Sequence, residues 1–338
     1  MRLENVSIIG MATMDAPHRV SSAVLEYQLA PLLAKYHLQR NIISTLTGIN
    51  ARRFWDPGTQ PSEVATACAE LALADADIPK EKLGVVVNTS VCKDYVEPSV
   101  ASLVHGRLGL PSTTMNFDVG NACLAFLNGM EIVGRMIDAG QIEYGIVVDG
   151  EGSRHIVETT VKRLVEQSAD QMTFWKNFAT FTLGSGAAAV ILGRADLHPD
   201  GHLFRGGVSR AATQYSHLCR GQVDEMHTDS TGLLSAGVAL AQETLSVANH
   251  ELGWDQNKPN LLVLHQVSAV HTTKLIQCLE LDDTKVHRIF PEFGNIGPAA
   301  IPITLAKAVD AGRVKKGDRV ALMGIGSGLN CAMMEVIW

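Results

Sequence analysis

The sequence predicts an α/β fold built from two similar halves, and three observations predict it. Val- and Leu-rich runs of strand length alternate with helix-length segments along the 338 residues, as buried strands covered by helices require. Aromatics are scarce at 5% while hydrophobic residues reach 46%, so small aliphatic side chains must supply the core. The third observation is a repeat. Gly120-Asn121 has a counterpart in Gly294-Asn295, and each pair precedes an apolar helix ending in Asp-Ala-Gly, at 138–140 and 310–312, and then a strand.

In chain order, "NVSIIGMA", "LGVVVNTS" and "TMNFDVG" read as strands. "CLAFLNGMEIVGRMIDAG" follows with apolar residues at helical spacing and a terminal Gly as C-cap. "EYGIVVDGE" and "SGAAAVILG" are strand-like, and the segment 151–182 between them has no partner in the other half and reads as a helical insertion. The second half supplies strand-like "NLLVLHQVS" and "KVHRIFPEF", the helix "IPITLAKAVDAGRVKKG", and strands "RVALMGIGSG" and "CAMMEVIW". The domain division follows: residues 1–195 form the N-terminal half, carrying the insertion, and residues 196–338 the C-terminal half.

A net charge of −7 without basic blocks argues against a nucleic-acid surface. The N-terminal stretch lacks the pattern of a signal peptide, and no run approaches the ~20 apolar residues of a membrane span. Cys68, Cys92, Cys123, Cys219, Cys278 and Cys331 form no CxxC pair, which fits free thiols in a reducing compartment. The histidines show no metal-ligand spacing. The expectation is a cytoplasmic protein with no metal, no cofactor and no membrane span.

Cys123 opens the helix after Gly120-Asn121. Unpaired N–H groups at a helix start lower a thiol pKa and favour the thiolate; a lone cysteine on an apolar helix is also common core filler. His265 ends the apolar strand "LLVLH", where α/β sheets place reactive groups, or it is a hydrogen-bonded core residue. Asn295 is a cap or turn residue by type, yet pseudo-symmetry brings the two Gly-Asn turns towards a shared centre. Glu97 stands in the polar loop "NTSVCKDYVEPS", with Asp94 as its competitor. "GIGSGLN" is a tight glycine-rich turn whose Ser327 amide is a candidate oxyanion donor alongside that of Cys123. Arg52 and Arg53 in "GINARRFW" read as structural ahead of phosphate-binding.

The ordered set "TGINARRFW", "DVGNACLAFLNGM", "GSGAAAVIL", "LHQVS", "EFGNIGPAAIPITLAKA" and "GIGSGLNCAMMEVIW" resembles the thiolase superfamily over nearly the whole chain, in its 3-oxoacyl-carrier-protein synthase III branch. "TSVCKDYVEPS", "NACLAFLNGM" and "FPEFGNIGPA" resemble the OleA-type acyl-CoA condensing enzymes within it. His-Gln-Val-Ser and Gly-Asn-Ile-Gly replace the usual synthase III His-Gln-Ala-Asn and Gly-Asn-Thr-Ser, and these departures set the chain apart from carrier-protein synthases.

The resemblance implies a duplicated five-layered αβαβα thiolase fold and a homodimer. It also implies non-decarboxylative Claisen condensation of two long-chain acyl-CoAs, as the first step of long-chain olefin synthesis. By the same resemblance Cys123 is the acyl-accepting nucleophile, and His265 with Asn295 polarises a thioester carbonyl. Ser327 is a backbone oxyanion donor, and Glu97 takes the α-proton in the partner subunit's site. CoA thioesters are then substrates, and downstream olefin-pathway enzymes are the expected partners. Decarboxylative 3-oxoacyl-carrier-protein synthesis, hydroxymethylglutaryl-CoA-synthase-like chemistry and a non-catalytic thiolase-fold partner remain the alternatives.

Overall fold

The computed structural model describes residues 2–338. Its strands are β1 Val6–Asp15, β2 His18–Ser21, β3 Ala51–Phe54, β4 Leu83–Asn88, β5 Met115–Asp118, β6 Tyr144–Glu151 and β7 Gly186–Arg194, then β8 His202–Ala211, β9 Cys219–Gly221, β10 Met226–Thr228, β11 Leu261–Leu264, β12 Arg319–Gly326 and β13 Asn330–Ile337. Nine of them form one ladder in the order β11-β12-β13-β8-β1-β7-β6-β4-β5, while β2–β3 and β9–β10 pair separately.

The repeat seen in the sequence is present in the topology. Outward from the centre, one side runs β1, β7, β6, β4, β5 and the other β8, β13, β12, β11. On each side two antiparallel pairings come first; two parallel pairings follow on the β1 side and one on the β8 side. Strands β1 and β8 join the two sides through Ser7↔Leu203 and Ile8↔His202, and Arg2 bridges Gly206.

Five layers result. Helices Pro61–Ala76 and Val100–Leu108 cover one outer face, and Ser230–Glu251 with Ala269–Cys278 covers the other. Helices Ala125–Asp138 and Ala300–Asp310 fill the middle, packed on strands of both halves. Strand alternation explains how one strand serves two layers. Val85 and Val87 of β4 face the central core while Val86 faces outward; Leu261 and Val263 of β11 face the centre, and Leu262 and Leu264 face out.

Two departures from the sequence reading have physical causes. "KVHRIFPEF" is not a strand. Only Val286 bridges Leu262, and Phe290–Phe293 is a helical turn. Pro291 has no N–H to give a ladder, and the Gln266 side chain takes the N–H groups a neighbouring strand would have taken, those of Ile289 at 2.8 Å and Phe290 at 3.1 Å. Conversely, β8 is a strand that the apolar pattern does not mark. Gly206 and Gly207 interrupt it, and a Cβ at Gly207 would lie 2.1 Å from the Met333 carbonyl oxygen, so close backbone approach replaces side-chain burial there.

The segment 151–182 is helical, through Arg154–Glu166, Gln171–Asn177 and the 3-10 turn Phe178–Thr182, except that Glu151 is the last residue of β6. Its Phe174 and Phe181 are fully buried against Leu25, Leu29 and Phe54. No described helix is long and apolar enough to cross a membrane.

Candidate active site

Cys123 lies in the single 3-10 turn Ala122–Leu124 that runs into helix Ala125–Asp138. Ala122 before it has φ +45°, a left-handed conformation that costs a non-glycine residue about 1 kcal/mol and is kept only where neighbours enforce it. Asn121 supplies that enforcement. Its Nδ2 donates to Asn128 Oδ1 at 2.7 Å, and its Oδ1 accepts from Asn330 Nδ2 at 2.9 Å, fastening the turn to its own helix and to β13. The turn joining β12 to β13 packs directly on it: a Cβ at Gly326 would lie 3.2 Å from the Asn121 carbonyl oxygen and 3.3 Å from Leu124 N. Ser327 is the next residue, so its backbone stands beside the cysteine turn.

Asn295 reaches the same place from the other half. Its N–H donates to Thr182 O at 2.8 Å and its carbonyl accepts from Gly184 N at 2.9 Å. Gly294 has φ +68°, and a Cβ there would lie 2.4 Å from Thr182 O, so only glycine permits this clamp. Gly297 N–H donates to Asn295 Oδ1 at 3.0 Å, which turns the amide so that Nδ2 is free to donate. The following turn, Gly297–Ala299, packs against the cysteine turn. Gly294→Ala is therefore expected to displace Asn295 and lower condensation activity about 10²-fold, measured as turnover on saturating acyl-CoA; unchanged turnover would contradict the clamp.

His265 extends β11, its N–H donating to Met323 O of β12 at 2.8 Å, and β12 ends on the cysteine turn. The ring is 3% exposed and neither nitrogen has a hydrogen-bond partner among the described residues, the condition of a group that awaits an oxygen from a ligand. Burial, aided by His271, pushes its pKa down to about 3. The ring is thus held neutral at physiological pH, with one N–H to donate.

The expected low thiol pKa of Cys123 is overturned. Burial first, then Cys219 and Glu151, push it up to about 12. A dipole acting through one 3-10 turn does not offset the loss of solvent and nearby negative charge. The Cys123 side chain is thereby held as the thiol.

Glu97 does not join this group within its own chain. It is exposed on the loop after β4, beside Val96, which is 96% exposed. The loop's feet are fixed: Asp94 accepts from Ser62 N at 3.0 Å at the start of helix Pro61–Ala76, and Asp118 accepts from Ala101 N at 2.9 Å. Asp94, the competing carboxylate, is thereby a structural tie. Arg52 is structural too: it is fully buried and donates to Phe181 O at 2.7 Å and Ser22 Oγ at 3.1 Å.

The sequence reading missed Glu151 and Asp149, two carboxylates at i and i+2 on one face of the buried end of β6. Asp149 accepts from Thr89 Oγ1 at 2.7 Å, and Glu151 Oε1 accepts from Val91 N at 2.6 Å. Burial, with Glu151 beside it, holds Asp149 well above the usual carboxylate range, and burial pushes Glu151 up to about 7. A raised acid pKa means the folded state binds a proton that the unfolded state has released, so stability falls as pH rises from about 4.5 through 7. Glu151→Gln removes that loss. It should raise unfolding free energy more at pH 8 than at pH 4, measured by denaturant titration; equal effects at both pH values would contradict the shift.

Comparison with known proteins agrees with this architecture. Residues 117–205 and 250–338 match the 3-oxoacyl-[acyl-carrier-protein] synthase III family and its C-terminal region, respectively. The chain is 47% identical, over all of both chains, to an acyl-CoA:acyl-CoA alkyltransferase of Xanthomonas campestris, and 35% identical over the full length to one of Shewanella oneidensis. A beta-ketoacyl-[acyl-carrier-protein] synthase III of Bacillus pumilus is 28% identical over 88% of this chain and 89% of that one. The cerulenin-bound crystal structure of Xanthomonas campestris OleA matches with a TM-score of 0.98 at 47% identity, covering 100% of this chain and 98% of that chain. Other crystal structures of that protein carry substitutions of a glutamate, a cysteine or a histidine. The chain belongs to the thiolase superfamily, in its group of OleA-type acyl-CoA:acyl-CoA alkyltransferases.

Proposed function

We propose that the chain condenses two long-chain fatty acyl-CoAs, without decarboxylation, to a 2-alkyl-3-oxoalkanoic acid. The observation that carries this reading is the convergence of the Cys123, Asn295 and Ser327 turns, in a chain alike over its full length to acyl-CoA:acyl-CoA alkyltransferases. Glutamate, cysteine and histidine, the types substituted in the Xanthomonas structures, are also the types assigned here to Glu97, Cys123 and His265.

In the first step Cys123 sulfur attacks a thioester carbonyl and CoA leaves as its thiol, with the amides of Cys123 and Ser327 stabilising the oxyanion. A second acyl-CoA places its carbonyl oxygen against the neutral His265 ring and Asn295 Nδ2. Removal of its α-proton moves negative charge onto that oxygen, which preorganised donors meet at a gain of a few kcal/mol. Two simple acyl chains have no carboxylate to lose, so a base must take the proton, and Glu97 is assigned that role. The enolate carbon then attacks the acyl-enzyme, Cys123 sulfur leaves, and hydrolysis of the remaining thioester frees the acid.

We place Glu97 in the partner subunit's site, in a homodimer. The support is its exposed position, between apolar Tyr95 and Val96 and the fixed feet of the loop. The reaction needs no cofactor. Six free cysteines fit a cytoplasmic setting, downstream olefin-pathway enzymes would consume the product, and the duplication boundary is put near residues 195–196. Given acyl-CoA alone, the purified protein should release CoA and form the branched β-keto acid; consumption of malonyl donors with carbon dioxide release, and no product from acyl-CoA alone, would establish the decarboxylative synthase reading instead.

A further inference from the structure

Glu151 is buried, 5% exposed, and no Lys, Arg or His among the described residues forms an ion pair with it. Burying a carboxylate without a counter-ion is costly, so what it holds is informative. On one side its Oε1 accepts from Val91 N at 2.6 Å, and Cys92 lies beside the same carboxylate. Val91 and Cys92 are the foot of the loop that carries Glu97. On the other side its Cδ lies 3.5 Å from where a Cβ of Gly297 would stand. Gly297 N–H is the donor that orients Asn295. The Trp55 indole N–H, donating to the Glu151 carbonyl at 2.9 Å, fixes the residue's own backbone.

We propose that Glu151 is a positioning residue whose single carboxylate sets both the loop bearing Glu97 and the turn orienting Asn295. This rests on the reading above, in which Glu97 serves the partner's site and Asn295 its own. One side chain then connects the base delivered to one site with the carbonyl donor of the other. Its carboxylate faces Asp149, two residues back on the same strand, Cys92 and Val91 on the loop, and Cys123 and Gly297 on the neighbouring turns. At a pKa of about 7, the carboxylate keeps its full acceptor strength only above neutrality.

The test uses mixed dimers of a Cys123→Ala chain and a Glu97→Gln chain, which leave one intact site. Acylation of the remaining Cys123 is followed by intact mass and condensation by product formation. Glu151→Ala added to the Cys123→Ala chain, which donates Glu97, should lower condensation at least about tenfold while acylation stays within about twofold. Glu151→Gln, which keeps the acceptor and the volume, should restore condensation to within about threefold. Unchanged condensation with alanine, or equal loss with glutamine and alanine, would overturn the proposal. Where Glu151→Ala fails to fold, Glu151→Asp, one methylene short of the Val91 N–H, takes its place with the same expected loss. If the reference mixed dimer is itself inactive, delivery of Glu97 to the partner is what fails, and Glu151 is then judged by the same split between acylation and condensation in its homodimeric variants.

Discussion

Cys123→Ala is expected to abolish the acyl-enzyme and the condensed product together, by about 10⁴-fold or more. Cys68 and Cys331 are buried in the two outer-layer cores, packed among apolar side chains. Cys92 is engaged with Glu151. Intact mass after exposure to acyl-CoA should show one acyl group on the native chain and none on the variant. Because the Cys123 thiol is held up to about 12, base assists each attack. The acylation rate should climb throughout pH 7 to 9; a plateau below pH 8 would mean a thiolate at rest and contradict the account of this turn.

Glu97→Gln should separate the two half-reactions. The amide keeps the shape and polarity of the side chain but has no basic lone pair for a carbon acid, so acyl transfer to Cys123 persists within about twofold while condensation falls at least about 10²-fold. Rapid-quench measurement of acyl-enzyme against product distinguishes this from a general structural loss. Equal loss of both steps, or no loss of condensation, would count against Glu97 as the base. Selective loss would also explain why a carboxylate stands on an exposed loop whose base is so firmly tied: a rigid foot delivers an accurate tip.

Much of this was legible in the residues. Buried parallel strands such as Leu83–Asn88 and Leu261–Leu264 are continuous apolar runs, and the paired Gly-Asn turns carried the duplication that the topology repeats. Gly294 shows why the signal was strong there, since its φ and the 2.4 Å approach to Thr182 O admit no side chain. The misreadings came from interactions that act across the chain. Residues 285–293 have strand-like composition, but a glutamine 23 residues upstream of Ile289 intercepts the N–H groups of the ladder. Helix polarity argued for a low Cys123 pKa, and burial reversed it. Glu151 looked like the ordinary end of a strand because its meaning lies in Val91 and Gly297, which only the fold brings to it. Glu97 is exposed in its own chain for a similar reason, since on this account its site belongs to the second copy.

The most direct measurement is mass spectrometry of protein and product together after incubation with myristoyl-CoA as the sole substrate. The account predicts a myristoyl group on the peptide containing Cys123 and release of the branched β-keto acid built from two myristoyl chains, with no carbon dioxide lost in the condensation step. An unmodified Cys123 with product still formed, or acylation that yields only hydrolysed fatty acid, would contradict it.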